Sequence, residues 1–276
     1  MMLRWSRSRH FPWRGALRAA TAMLLAATAG TSAAMSAERA KLERLVTAYP
    51  DHLSGIDGNS LIWRDGTRMA IDDGRGKKDL LAWLADPDVE DMVAVPYPAG
   101  AVTAAPLPDR DPGRARNHAF FTKMYGDCRK GEVDRHLAEV TWLPGSLRQR
   151  IRVTRVNGVA ERVAQISRAL EALPSRYTRF LGPAAGGYYC RSIAGTDRNS
   201  PHGYGIAIDI AIGYADYWRW TKPNPAGIRP FRNRVPMEIV RVFEAHGFIW
   251  GGHWFHYDTM HFEYRPELLP ARPDHR

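Results

Sequence analysis

Residues 200–210 read SPHGYGIAIDI: a histidine in a glycine-broken turn, followed seven positions later by an aspartate inside an apolar run. An ionised carboxylate is costly to bury unless something pairs with it, so Asp209 either meets a partner from elsewhere in the chain or points to water. If 205–212 is a strand, Ile206, Ile208, Ile210 and Ile212 share one face and Ala207, Asp209 and Ala211 share the other. The isoleucine face is core; the alanine face leaves room above Asp209 for a ligand or an ion. Fully extended chain would hold His202 roughly 23 Å from Asp209, but Gly203 and Gly205 permit a bend that returns it over the strand. Imidazole nitrogen and carboxylate oxygen are both ordinary zinc ligands. The stretch HYDTMHFEY (256–264) adds His261, with Asp258 three residues before it. A catalytic zinc has three protein ligands and keeps one position for water. His202, Asp209 and His261 fill the three, for one Zn2+ ion, and Asp258 is then free to act as general base on that water.

Other residues compete for attention. His253 and His256 lie near His261 and are the rival ligands; His246 suits a helix C-terminus, where a cation is favoured. Glu263 shares strand parity with His261, which puts it either behind the site or in solvent. Ser200 either fixes the turn that holds His202 or is a plain turn serine. Trp218, Trp220 and Trp254 are open candidates for a substrate groove, and Trp250 reads as core. The basic stretch RPFRNR (229–234) is a solvated loop or a contact with a wall polymer. No G-x-S-x-G nucleophile elbow occurs, so a serine hydrolase has no support.

The segment SPHGYGIAID resembles the SxHxxGxAxD motif of the zinc peptidases that include D-alanyl-D-alanine carboxypeptidases, vancomycin-resistance dipeptidases and L-alanyl-D-glutamate endopeptidases. GFIWGGHWFHYDTMHFEY (247–264) looks most like the L-alanyl-D-glutamate branch. The resemblance covers about residues 150–270 and leaves 38–130 unexplained. It implies zinc on His202, Asp209 and His261, with the acidic base at Asp258. The carboxypeptidase branch usually places a glutamate there, followed by a Trp-His pair, and this chain has neither. The family often carries an arginine near the substrate carbonyl, which points to Arg191 in YYCRS as a group able to stabilise a developing oxyanion; a surface ion pair is the plainer reading.

The elements that must position these residues are legible in part. AERAKLERLVTA (37–48) reads as a helix, SLIWRDGTRMAIDDG (60–74) as a hairpin turning at Asp65-Gly66, and KKDLLAWLAD (77–86) as a short helix. Residues 96–116 hold five prolines and read as an ordered, irregular connector. RIRVTRV (150–156) alternates as a strand; Val159, Val163, Ile166, Leu170 and Leu173 then recur at helical spacing until Pro174. GYYCR (187–191) and GIAIDIAI (205–212) read as strands. PMEIVRVFEAH (236–246) reads as a helix opened by proline and closed at Gly247, and FIW and MHFEY read as strands. This order predicts an α+β fold, a small antiparallel sheet with flanking helices plus an N-terminal extension; the family resemblance implies a fold like that of hedgehog domains and D-alanyl-D-alanine peptidases.

The chain has 276 residues and a formal net charge of +10. Residues 1–33 hold Arg4, Arg7, Arg9, Arg14 and Arg18 and no acid, so their removal leaves +5. That modest balance suits an anionic envelope, and the absence of a dense basic stripe with interleaved aromatics argues against nucleic acid. With the apolar run AATAMLLAATA (19–29) and small residues near Ala33, residues 1–33 read as a secretory signal, too short for a permanent span. The expected organisation is a signal peptide over 1–33, an extension over 34–130 and a zinc metallopeptidase domain over 131–276. The expected protein is periplasmic or secreted, monomeric and without a stable membrane span once the signal is cleaved. Its two cysteines, Cys128 and Cys190, suit a disulfide in an exported protein. The expected function is hydrolysis of peptidoglycan stem peptides at an L-alanyl-D-glutamate-type bond. The alternatives are D-alanyl-D-alanine carboxypeptidase activity and a non-catalytic zinc-bearing wall-binding module.

Overall fold

The computed structural model describes residues 37–100, 105–193 and 195–270. The export signal expected over 1–33 lies outside the described residues. The chain divides into two units, Met1–Lys41 and Leu42–Arg276. Of the first, residues 37–41 are described, as part of a helix, α1, that runs to residue 48.

Next in chain order are β1 (Leu53–Asp57), β2 (Ser60–Trp63), β3 (Arg68–Ala70), α2 (Leu80–Ala85), α3 (Asp91–Ala94) and α4 (His118–Tyr125). Then follow β4 (Leu137–Trp142), β5 (Gln149–Thr154), α5 (Val159–Glu171), α6 (Thr178–Leu181), β6 (Ala207–Asp209), α7 (Met237–Glu244), β7 (Phe248–Trp250) and β8 (His261–Tyr264). The fold is α+β. Its described strands form three small antiparallel sheets, ordered β1-β2-β3, β4-β5 and β6-β8-β7.

The helical period works as expected in the second half. Val159, Val163, Ile166 and Leu170 of α5 are buried, as are Ile239, Val240 and Phe243 of α7. Phe243 stacks on Phe262 of β8 with ring centroids 3.7 Å apart. Together with Ile208 and Trp250, these rings back one face of the β6-β8-β7 sheet and leave its other face for polar groups. The segment before residue 130 joins the same core. Leu42, Leu45, Tyr49, Leu53 and Trp63 are buried, and Trp63 packs on Phe120 of α4 at 5.5 Å. Phe121 continues the aromatic run to Tyr204 at 5.7 Å, inside the turn that carries His202.

Two local expectations are corrected. Residues 187–191 form no strand. Each contact is to a different element: Tyr188 N–H donates to Arg152 O at 2.6 Å and Tyr189 N–H to His202 O at 3.2 Å, so no ladder develops. The strand expected over 205–212 is confined to Ala207–Asp209. Gly205 is left-handed at its start (φ 71°), and the chain turns into a 3-10 helix at Ile212–Tyr214, which leaves Ile212 48% exposed rather than in the core face. Strands β1 and β4 and helix α4 are additional. LSGID carries a register shift and little apolar alternation, LAEVTW breaks the period of two, and HAFFTKMY is rich in β-prone aromatics. What makes α4 a helix is its cap: the Asn117 side chain accepts from Phe120 N–H at 2.9 Å. The two cysteines are joined, Cys128 to Cys190, with Cα atoms 5.7 Å apart.

Candidate metal centre

The register of β6 against β8 puts Asp209 opposite His261. Ile210 N–H donates to Met260 O at 3.0 Å, so 210/260 is a hydrogen-bonded pair and 209/261 is the adjoining pair without hydrogen bonds. Side chains stand closest together at such a pair. His261 Nδ1 lies 3.0 Å from Asp209 Oδ1.

His202 arrives from the other direction. Pro201–Tyr204 form one turn of 3-10 helix, and Gly205 ends it in the left-handed region. A Cβ at Gly205 would meet Thr154 N at 2.8 Å, so both the conformation and the space require glycine there. The turn folds His202 back until Nε2 is 3.3 Å from Asp209 Oδ2. Its Nδ1 lies 2.7 Å from the Gly187 carbonyl, a pure acceptor, so Nδ1 carries the hydrogen and Nε2 keeps a free lone pair. The Gly187 segment is held in place by Asp209 itself, whose N–H donates to Gly186 O at 3.0 Å, and by the disulfide at Cys190.

The donor set fits a metal ion. One ligand atom from each of His202, Asp209 and His261 lies within 4.8 Å of the others. His202 Nε2 is buried without a hydrogen-bond partner, as is Asp258 Oδ1. Burial alone would raise the Asp209 carboxyl, but the His202 and His261 rings hold it below the ordinary carboxylate range. Burial would likewise lower His261, yet hydrogen bonds to Asp209 and Glu263 push it up to about 9. The two shifts are the two ends of one pairing: the carboxylate is favoured by the imidazoles beside it, and the imidazolium by the carboxylates. Asp258 behaves differently: burial raises it to about 6, against the pull of His261 and with the help of the Asp209 charge.

Around these groups is a cavity of about 150 Å³. Arg114, Arg116, Arg191 and Arg219 line it, with Tyr217, Trp254 and Asp258. Trp254 forms one wall, its ring 5.4 Å from the His261 ring and its Nε1–H donating to Pro112 O at 2.7 Å. Arg191 is at the rim, exposed, with Nη1 3.4 Å from Ser192 O. The rival histidines are accounted for elsewhere. His253 Nε2 is likewise buried without a hydrogen-bond partner, but it faces Glu244 at 3.4 Å and is not part of the converging set; His256 Nδ1 donates to Asp111 at 2.8 Å. His246 Nδ1 donates to Val242 O in the last turn of α7. A second cluster, Asp72, Asp73 and Asp88, already has a cation: Lys78 Nζ is 2.9 Å from Asp73 and 3.0 Å from Asp88.

Several residues around the cavity went unread in the sequence, among them Tyr217, Arg219 and three from the proline-rich connector, Asp111, Arg114 and Arg116. Asp111 is fully buried and pairs with His256 and Arg114. Arg116 donates through Nε to Glu263 Oε1 at 2.7 Å and through Nη2 to Glu263 Oε2. His256, the partner of Asp111, and Glu263, the partner of Arg116, are about 145 residues away in sequence, and no local pattern marks them.

A convergent His-Asp-His set beside a carboxyl with one buried, unpartnered oxygen is the arrangement of a metal-dependent hydrolase. Residues 194–264 match the family model described as D-alanyl-D-alanine carboxypeptidase, and this supports a metallopeptidase enzyme. His202, Asp209, Asp258 and His261 fall inside the matched segment; Arg191 and the connector arginines fall outside it. No curated protein and no solved structure gives a significant match.

Proposed function

We propose that the chain is an exported, zinc-dependent peptidase that hydrolyses peptide bonds in peptidoglycan stem peptides, at an L-alanyl-D-glutamate-type linkage. The observation that carries this reading is the convergence of three donor atoms within 4.8 Å around the unpartnered Nε2 of His202. His202 through Nε2, Asp209 through a carboxylate oxygen and His261 through Nδ1 would hold the ion. When bound, zinc supplies Lewis acidity, which lowers the pKa of a water to near 7 and polarises a carbonyl. Asp258 takes the proton of the attacking water and returns it to the leaving amine; a carboxyl raised to about 6 is suited to both transfers. Arg191, at the rim, faces the oxygen on which charge develops. The arginine-lined cavity favours an acidic peptide over a neutral one.

The matched family description favours a second reading, release of a terminal D-alanine. Defined stem peptides, digested with and without chelator and analysed by mass, separate the two. Cleavage between L-alanine and D-glutamate is expected; free D-alanine alone would establish the carboxypeptidase instead. No chelator-sensitive product from either bond would leave a zinc-bearing binding module. Periplasmic or extracellular placement follows from the wall substrate. Among the described residues, no helix is long and apolar enough to cross a membrane. The division into a signal at 1–33, an extension at 34–130 and a peptidase domain at 131–276 is part of the same proposal, as is a monomeric state.

A further inference from the structure

We propose that Arg116, from the connector ahead of the matched segment, is a positioning residue for His261, acting through Glu263. The inference rests on the proposed role of His261 as a ligand. Glu263 lies two residues beyond His261 on the same face of β8, opposite Ala207, whose small side chain leaves space beside it. The Glu263 carboxylate is fully buried, and its Oε2 is 3.5 Å from His261 Nε2. The two nitrogens of the imidazole therefore have separate neighbours: Asp209 at Nδ1 and Glu263 at Nε2. When Nδ1 is given to an ion, the hydrogen resides on Nε2, and its acceptor sets the rotation and basicity of the ring.

A carboxylate buried this deeply needs a cation of its own. Arg116 supplies it with a two-pronged contact, Nε to Oε1 and Nη2 to Oε2, the geometry for which a guanidinium is pre-shaped. Arg265 is 3.7 Å from the same carboxylate but is committed elsewhere, through Nε to Glu267 and through Nη1 to Gly113 O at 2.6 Å. Glu267 in turn accepts from Tyr49 Oη at 2.7 Å. A continuous buried polar chain thus runs from His261 to the connector and on to the residue just after α1. An ion pair that served stability alone would have no reason to end on a ring nitrogen of the donor set.

The test uses the full chain, stripped of metal, in three forms: wild type, Glu263→Gln, and Arg116→Met combined with Glu263→Met. Exchanging both members of a buried pair for apolar groups is commonly neutral for folding, so thermal melting of the double variant without metal is expected to stay near wild type. Zn2+ affinity, measured by chelator competition, is expected to fall about 10- to 100-fold in both variants, with altered Co2+ ligand-field absorption. Variants that bind Zn2+ within twofold of wild type, with an unchanged Co2+ spectrum, would overturn the inference and leave the pair purely structural. Should the double variant not fold, the shape-preserving Glu263→Gln decides by the same two readouts. A wild type that binds no Zn2+ would overturn the metallopeptidase reading and this inference together; equal binding by wild type and variants overturns this inference alone.

Discussion

Asp258 concentrates the residue-scale argument. Its Oδ1 is buried without a partner, and burial raises the carboxyl to about 6. In its proposed role as general base it must be ionised, so hydrolysis is expected to decline as pH drops below about 6, measured as kcat/KM across pH 4.5 to 8. Asp258→Asn is expected to lower kcat/KM about 100- to 10,000-fold while Zn2+ is retained in stoichiometric amount. The same substitution makes a signed stability prediction. A carboxyl raised above its unfolded value holds its proton more tightly in the folded chain, so it costs stability once pH exceeds the folded pKa and nothing below the unfolded one. Thermal scans of metal-free Asp258→Asn are therefore expected to show a higher melting temperature than wild type at pH 8, and the difference is expected to shrink between about pH 6 and 4 and vanish below about pH 3.

At the scale of elements, the site depends on one strand register and one turn. The pairing of Asp209 with His261 comes from β6 and β8, and a slip of either strand by one residue would turn its donor to the opposite face and part the two. The turn at 201–205 depends on Gly205. Gly205→Ala would place a Cβ 2.8 Å from Thr154 N at a positive φ. It is expected to cost about 1–3 kcal/mol of stability and to weaken Zn2+ binding, because His202 is displaced with the turn; denaturant unfolding and chelator competition check the two effects. Beside the turn, the Cys128–Cys190 disulfide closes 62 residues of chain. Its removal in Cys128→Ser/Cys190→Ser is expected to cost about 4 kcal/mol in the chain-entropy picture. Melting of wild type with and without reductant reports the same loss.

At the scale of the whole molecule, ion binding is expected to be linked to folding because His261 is joined to His202 and Asp209 only by tertiary structure. Zn2+ at a thousand times its dissociation constant is expected to add about 4 kcal/mol of stability, which raises the melting temperature of a chain this size by about 10 °C. Chelator should reverse the shift, and a melting temperature indifferent to both would count against a folded metal centre. The connector belongs to this scale as well. Asp111 reaches His256, Arg114 pairs with Asp111, and Arg116 reaches Glu263, so residues ahead of the matched segment build one wall of the cavity.

What could be read without coordinates is instructive at each level. His202, Asp209, Asp258 and His261 were legible because ligand chemistry restricts residue types and because a glycine turn and an alternating strand place them by local rules. The α5 and α7 helices and strands β5, β7 and β8 were legible for the same reason: their burial follows a short period. Strand β4, helix α4 and the irregular path of 187–191 were not, since aromatic packing and isolated backbone contacts settle them against their local patterns. Nor was the choice between core and solvent for Glu263, which strand parity left open. The sequence alone therefore determined the chemistry of the donors and their faces on β6 and β8. The fold decided which second set of charges stands behind them, because an ion pair between Arg116 and Glu263 depends on a closure of 147 residues that no local period encodes.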